Sequence, residues 1–151
     1  MKIDKLFNGL KRIANGAYVL EGDLISEETI EIDLDDRFVV TGKIRAKKSI
    51  VVRCGIKAGC GIKAGDGIEA GEGIEAGLGI KAGDGIKAGW GIEAGWGIEA
   101  KTFINASKRI FAGISLYRTS KDCDKTIRCA ELRNGEICYG DLTIIENGGK
   151  R

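Results

Sequence analysis

The chain has 151 residues, one domain's worth, with 24 basic residues against 22 acidic ones. That near balance gives no general attraction to nucleic acid or to a membrane surface. Twenty-four glycines without a single proline exclude collagen, which needs glycine at every third position and abundant proline.

At the N-terminus, Ile3, Leu6, Phe7, Leu10 and Ile13 recur at helical spacing, with Lys2, Lys5, Lys11 and Arg12 marking the polar side. The pattern predicts an amphipathic helix from Met1 to about Ile13, within an N-terminal unit of residues 1–31. Its apolar face would cap the open end of the segment that follows, covering strand edges and core. Self-association or attachment to a membrane surface are the other uses of such a face. Next comes an acidic cluster, Glu27, Glu28, Glu31, Asp33, Asp35 and Asp36. Its alternation with Ile30, Ile32 and Leu34 reads as the solvated face of a strand rather than as an acid–base or calcium site.

The middle of the chain is a repeat. Gly-Ile-(Lys/Glu)-Ala occurs eight times, from Gly55 to Gly97, in six-residue steps. Ile and Ala stand two apart with a charge between them, so on a strand both point inward and the charge points out. The intervening Gly-x-Gly supplies a corner, where glycine can take a positive φ without steric cost. A helix is excluded, because two glycines in every six residues would cost about 2 kcal/mol per repeat. A flexible linker has no use for a strict apolar period. The phase extends backward through Ile50, Ile44, Phe38 and Ile32, and forward through Ile104 and Ile110. This predicts an all-β, single-stranded β-helix (β-solenoid) of hexads over residues 32–114.

Two coil sizes fit. With three hexads per coil, residues eighteen apart stack: Cys60, Leu78, Trp96 and Ile114 form an apolar edge, and Asp66, Asp84 and Thr102 a polar one. With two hexads per coil, residues twelve apart stack and every Lys/Glu neighbour pair is opposite in charge. Exposed pairs contribute less than about 1 kcal/mol each, and flat coils leave a thin core. The triangular coil of about eighteen residues is therefore the prediction. Trp90 and Trp96 fall in exposed corners, on adjacent edges, and with Leu78 are candidate contact anchors.

Cys54 and Cys60 are six apart, as are Cys123 and Cys129, which is not a CxxC metal spacing. They read as small repeat residues. Beyond Ser115 the hexads stop. Thr126–Leu132 and Glu136–Ile145 alternate like strands around Arg133-Asn134-Gly135, and Asn-Gly is a favoured tight-turn pair. A C-terminal β-hairpin cap is predicted within residues 115–151, with a loose polar tail from Asn147.

The stretch Val40–Val52, leading into Gly55-Ile-Lys-Ala58, resembles bactofilins. These are bacterial, polymer-forming cytoskeletal proteins with triangular β-helices of repeated aliphatic and Gly-x-Ile-x-Ala segments. The resemblance covers about residues 32–114 and implies self-assembly. The glycine-rich block is more monotonous than that family's pattern, and residues 115–151 do not continue it. Left-handed hexapeptide-repeat acyltransferases are a second likeness, through spacings such as Ala64-Gly65 followed by Ile68, with large and small residues exchanged. Their catalytic base is a histidine, and this chain has none. The same absence removes the histidine-held zinc of related carbonic anhydrases.

The expectation is thus a non-enzymatic structural or assembly protein that self-associates as a homo-oligomer. No catalytic, cofactor or metal residues are predicted. Candidate interaction residues are Trp90, Trp96, Leu78, Ile3, Leu6, Phe7 and Leu10. The other reading is a phage or mobile-element protein, anti-CRISPR-like, that blocks a host protein sterically. No direct nucleic-acid contact is predicted, and membrane association is the weakest option. An odd count of five cysteines, no signal-peptide pattern and no long apolar stretch suggest a cytoplasmic location.

Overall fold

The computed structural model describes residues 1–114 and 124–146. Among them there is no helix, and the fold is a parallel β-solenoid of about seven turns. Its first strands are β1 (Lys2–Ile3), β2 (Leu10–Arg12), β3 (Tyr18–Leu20), β4 (Leu24–Ser26) and β5 (Ile30–Ile32). The regular strands are β6 (Phe38–Val40), β7 (Ile44–Ala46), β8 (Ile50–Val52), β9 (Ile56–Ala58), β10 (Ile62–Ala64) and β11 (Ile68–Ala70). They continue as β12 (Ile74–Ala76), β13 (Ile80–Ala82), β14 (Ile86–Ala88), β15 (Ile92–Ala94) and β16 (Ile98–Ala100). The last are β17 (Phe103–Ala112), β18 (Thr126–Cys129), β19 (Glu131–Tyr139) and β20 (Asp141–Ile144).

Register fixes the coil at eighteen residues: Ile62 lies against Ile44 on one side and Ile80 on the other. Three parallel ladders result. The first runs β1-β5-β8-β11-β14-β17 and the second β3-β6-β9-β12-β15-β17. The third runs β4-β7-β10-β13-β16-β18-β20. The long β17 and β19 bend around a corner and so serve both the first and second ladders. In each regular strand the first and third residues are buried, giving one continuous core of stacked isoleucines and alanines with no buried polar side chain among the described residues.

The first coil is longer. Leu24 pairs with Ile44 and Ile30 with Ile50, twenty residues on, because β6 begins eight residues after β5 rather than six. The hexad phase therefore slips at residues 33–37. Ile30 and Ile32 form the strand pair, and Leu34 is buried in the following turn. The solenoid strands start well before Ile32 and continue past Ile114.

Three expectations are corrected. The N-terminal segment is not helical: β1 pairs parallel with β5, and β2 pairs antiparallel with β3. A short helix is marginal in isolation, and here the backbone bonds to the open ladder edges instead. The C-terminal hairpin is also absent. Arg133-Asn134-Gly135 lies inside β19, at a corner, with Gly135 at φ 121°; β19 runs parallel to β17, and β20 runs parallel to β18. A solenoid corner and a hairpin turn use the same residues, so the Asn-Gly signal could not separate them.

Finally, the repeat glycines do not have positive φ; the block from Gly55 to Gly97 contains none. From Gly59 to Gly89 the first glycine of each corner is required by close stacking. A Cβ on Gly83 would lie 1.9 Å from the Gly65 carbonyl oxygen, and one on Gly65 1.9 Å from that of Lys47. The second glycine has more room in the middle coils, where a Cβ on Gly67 would stand 3.4 Å from the Gly85 oxygen, but not near the C-terminal end, where one on Gly85 would lie 2.3 Å from Phe103 and one on Gly91 2.7 Å from the Arg109 oxygen. The predicted tail from Asn147 and Cys123, read as a small repeat residue, lie outside the described residues.

Candidate interaction surfaces

Four surfaces follow from this geometry: two ends and two grooved ladders. At the N-terminal end the first thirteen residues fold over the core. Ile3 is fully buried, and Phe7 and Leu10 pack partly buried on the core cluster. Leu6, placed on the same helical stripe by its spacing, instead faces solvent at 92% exposure. The segment is tied down by the terminal ammonium, which donates to the Thr29 carbonyl at 2.6 Å. Lys5 Nζ and the Tyr18 hydroxyl both donate to Asp35, at 2.7 and 2.8 Å. Those two bonds hold the Asp35 carboxyl down to about 2. The acidic cluster is solvated and ion-paired across the twenty-residue coil: Glu27 with Lys47, Glu28 with Lys48 and Asp33 with Arg53.

The C-terminal end differs. Leu142 and Ile144 stand in register with the buried Ile127 and Cys129, so they occupy inward positions of the last coil. Among the described residues no further strand covers them, and they are 42% and 57% exposed. Leu132 and Ile137, in register with Ile104 and Ile110, are half-buried on the same coil. The core thus ends in an apolar rim, and the outer edges of β19 and β20 pair with no described strand.

The corners form stacked edges at the eighteen-residue step. Leu78 N–H donates to the Cys60 carbonyl and Trp96 N–H to that of Leu78; on a second edge Trp90 N–H donates to the Glu72 carbonyl. Trp90 is 51% exposed, with Lys108 Nζ 5.1 Å from its ring centre. Trp96 is half-buried. The two tryptophans line separate grooves. One, of about 860 Å³ along the second ladder, includes Trp90, Glu75, Glu93 and Phe111. The other, of about 440 Å³ along the third ladder, includes Leu78, Trp96, Arg45, Lys63, Lys81 and Arg128.

The ladder faces carry distinct charge orders. Outward on the second ladder stand Lys57, Glu75, Glu93 and Phe111 in succession. Lys57 bonds Glu75 at 2.6 Å, while Glu93 sits next to Glu75 in register, and burial with that neighbouring charge pushes its carboxyl up. Outward on the third ladder stand Arg45, Lys63, Lys81, Glu99 and Arg128. Lys81 pairs with Glu99 at 3.7 Å; Arg45, Lys63 and Arg128 have no ion pair among the described residues.

Cys54 is buried in the core, where burial pushes its thiol up to about 11. Cys129 is likewise buried and its thiol raised, while Cys138 is exposed. The apolar rim of the last coil and the basic third ladder were not singled out from sequence. The eighteen-residue step groups Arg45, Lys63, Lys81 and Glu99 once the coil size is known, but not the rim, where Ile127 follows Ile98 by 29 residues and Leu142 follows Ile127 by 15. No helix among the described residues is long and apolar enough to cross a membrane. No protein-family model matches the chain, and neither a curated protein nor a solved structure matches it.

Proposed function

We propose that this protein is a non-enzymatic structural protein, a short rigid β-solenoid that assembles with copies of itself. The observation that carries the reading is the difference between its ends. Ile3, Phe7 and Leu10 close the N-terminal end, whereas Leu132, Ile137, Leu142 and Ile144 leave an apolar rim at the other. Inward side chains of a last coil gain most when another coil stacks on them, and the free edges of β19 and β20 can take further strands. With one end closed, two copies meet C-terminal end to C-terminal end, a self-complementary pairing that closes as a dimer. In this reading the coil is triangular, with one ladder per side, and the protein is bactofilin-like in kind.

Light scattering across a range of protein concentration tests the pairing. At high salt, the expected result is a dimer for the parent and a monomer for Leu142→Lys/Ile144→Lys. A parent that stays monomeric at every concentration refutes it.

A second reading is a binding protein that blocks a host protein, and the half-exposed Trp90 over its groove favours it. It predicts capture of a specific host protein that Trp90→Ala abolishes while dimerisation is unaffected.

A further inference from the structure

The charges on the second and third ladders are ordered so that one face can read the other. Outward residues on each ladder repeat at the same coil rise, about 4.8 Å, so faces of two copies can match level for level. On the second face, in chain order, stand Lys57, Glu75, Glu93, Phe111 and Tyr139. On the third stand Ile25, Arg45, Lys63, Lys81 and Glu99. Glu99 is the single acidic side chain in the outward series Ile25, Arg45, Lys63, Lys81, Glu99, Arg128 and Thr143 of that face. Lys57 therefore finds an opposite charge there at one level alone.

With Lys57 set against Glu99, direction decides the rest. If the axes run parallel, Glu93 meets Thr143. If they run antiparallel, Glu75 meets Lys81 and Glu93 meets Lys63. Phe111 then meets Arg45, a cation–π contact, and the half-exposed Tyr139 meets the half-exposed Ile25. No other offset, in either direction, matches Lys57, Glu75 and Glu93 together.

We propose that the second ladder face of one copy docks on the third ladder face of another, axes antiparallel, in the register Lys57–Glu99, Glu75–Lys81 and Glu93–Lys63. The contact answers two like-charge neighbour pairs inside each copy, Glu75 beside Glu93 and Lys63 beside Lys81, and supplies a carboxylate for Lys63, which has none among the described residues. It joins different surfaces, so a docked pair keeps one free face of each kind. It therefore repeats into a row of side-by-side solenoids rather than closing. The proposal rests on the assembly reading but uses a different surface from the C-terminal rim, so either can fail alone.

The test is sedimentation velocity at low and high salt on four samples, with circular dichroism confirming the folded state: the parent, Lys63→Glu/Lys81→Glu, Glu75→Lys/Glu93→Lys, and an equimolar mixture of the two variants. The parent is expected to form species larger than a dimer at low salt, and to lose them at high salt as screening weakens the ion pairs. Each variant alone is expected to stop at the dimer, because its two faces now carry the same sign. Mixing is expected to restore the large species, because one variant then offers acidic faces and the other basic ones. Large species in either variant alone, no restoration on mixing, or a parent that never exceeds the dimer each overturn the lateral contact while leaving end-to-end pairing intact. If the parent's large species form but Leu142→Lys/Ile144→Lys leaves them unchanged, the lateral contact stands and end pairing falls. Retention of the parent on a heparin column, lost in Lys63→Glu/Lys81→Glu and unaccompanied by self-association, would assign the basic face to a polyanion instead and overturn the proposal.

Discussion

The two glycine positions of a corner answer to different constraints, and alanine substitutions in two stacked corners, Gly83-Asp84-Gly85 and Gly65-Asp66-Gly67, separate them. In Gly83→Ala the new methyl would meet the Gly65 carbonyl oxygen at 1.9 Å and its carbon at 2.9 Å. That is about 1.5 Å short of a normal contact, and the obstacle is backbone that cannot rotate away. The coils must part locally, which stretches the bonds from Gly83 N–H to the Ala64 carbonyl and from Asp84 N–H to that of Asp66, both 3.2 Å. Two weakened backbone bonds cost about 1 kcal/mol each, and overpacking strain adds about 1–3 kcal/mol. The expected loss is about 3–5 kcal/mol. Gly67→Ala meets nothing closer than 3.4 Å and needs no positive φ. It should gain about 0.4–1 kcal/mol by restricting the unfolded chain. Denaturant midpoints of the two variants and the parent, followed by circular dichroism, measure the contrast. Hydrogen exchange at Asp84 locates the damage. A Gly83→Ala variant within 1 kcal/mol of the parent, or a Gly67→Ala variant as damaged as Gly83→Ala, would refute close stacking as the reason for the glycines.

Two further outcomes follow from the titrating groups. Alkylation of the native protein at pH 8, mapped by mass spectrometry, should label Cys138 quickly and spare Cys54 and Cys129 until denaturant is added; rapid native labelling of Cys54 would contradict its core position. Asp35 is held below the ordinary carboxylate range by Lys5 and Tyr18. Its contribution is present above about pH 4 and is lost as pH falls toward 2, because the unfolded chain binds the proton first. Hydrogen exchange in residues 1–13 should therefore rise across that window in the parent, while Asp35→Asn, which lacks the window, should show the looser segment already at neutral pH.

The strands of the middle block were legible because Ile-x-Ala at a fixed six-residue step admits one arrangement, both apolar residues in and the charge out. The coil size was within reach for the same reason: an edge of Cys60, Leu78 and Trp96 forms only at eighteen. The ends were misread where one pattern serves two structures. Ile3, Phe7 and Leu10 suit a helix stripe, but they also suit a strand–turn–strand lid. Leu6 shows which was built, since a helix would have turned it inward. Likewise the alternation in Thr126–Leu132 and Glu136–Ile145 fits a hairpin or successive coil sides. Only the parallel partners β17 and β18 distinguish them. Leu142 and Ile144, within the predicted hairpin strand Glu136–Ile145, are instead the floor of the last coil, covered by no described strand.

The Lys/Glu order carries more than solubility: wound into coils, it makes two faces of complementary charge order. Along the eight strict hexads the charges run Lys, Lys, Glu, Glu and then repeat, a period of four hexads. Read at twelve residues, this order pairs every charge with its opposite, which is what made a flat coil attractive. Wound at three hexads per coil, a period of four cannot stay in phase, so each ladder samples it differently. The second ladder reads plus, minus, minus at Lys57, Glu75 and Glu93, and the third reads plus, plus, minus at Lys63, Lys81 and Glu99. Reversed, the third reads minus, plus, plus, the complement of the second level by level. The mismatch between charge period and coil period sacrifices pairing inside the molecule, leaving Glu75 beside Glu93 and Lys63 beside Lys81. The same mismatch creates two faces that complement each other only when one copy is turned end over end.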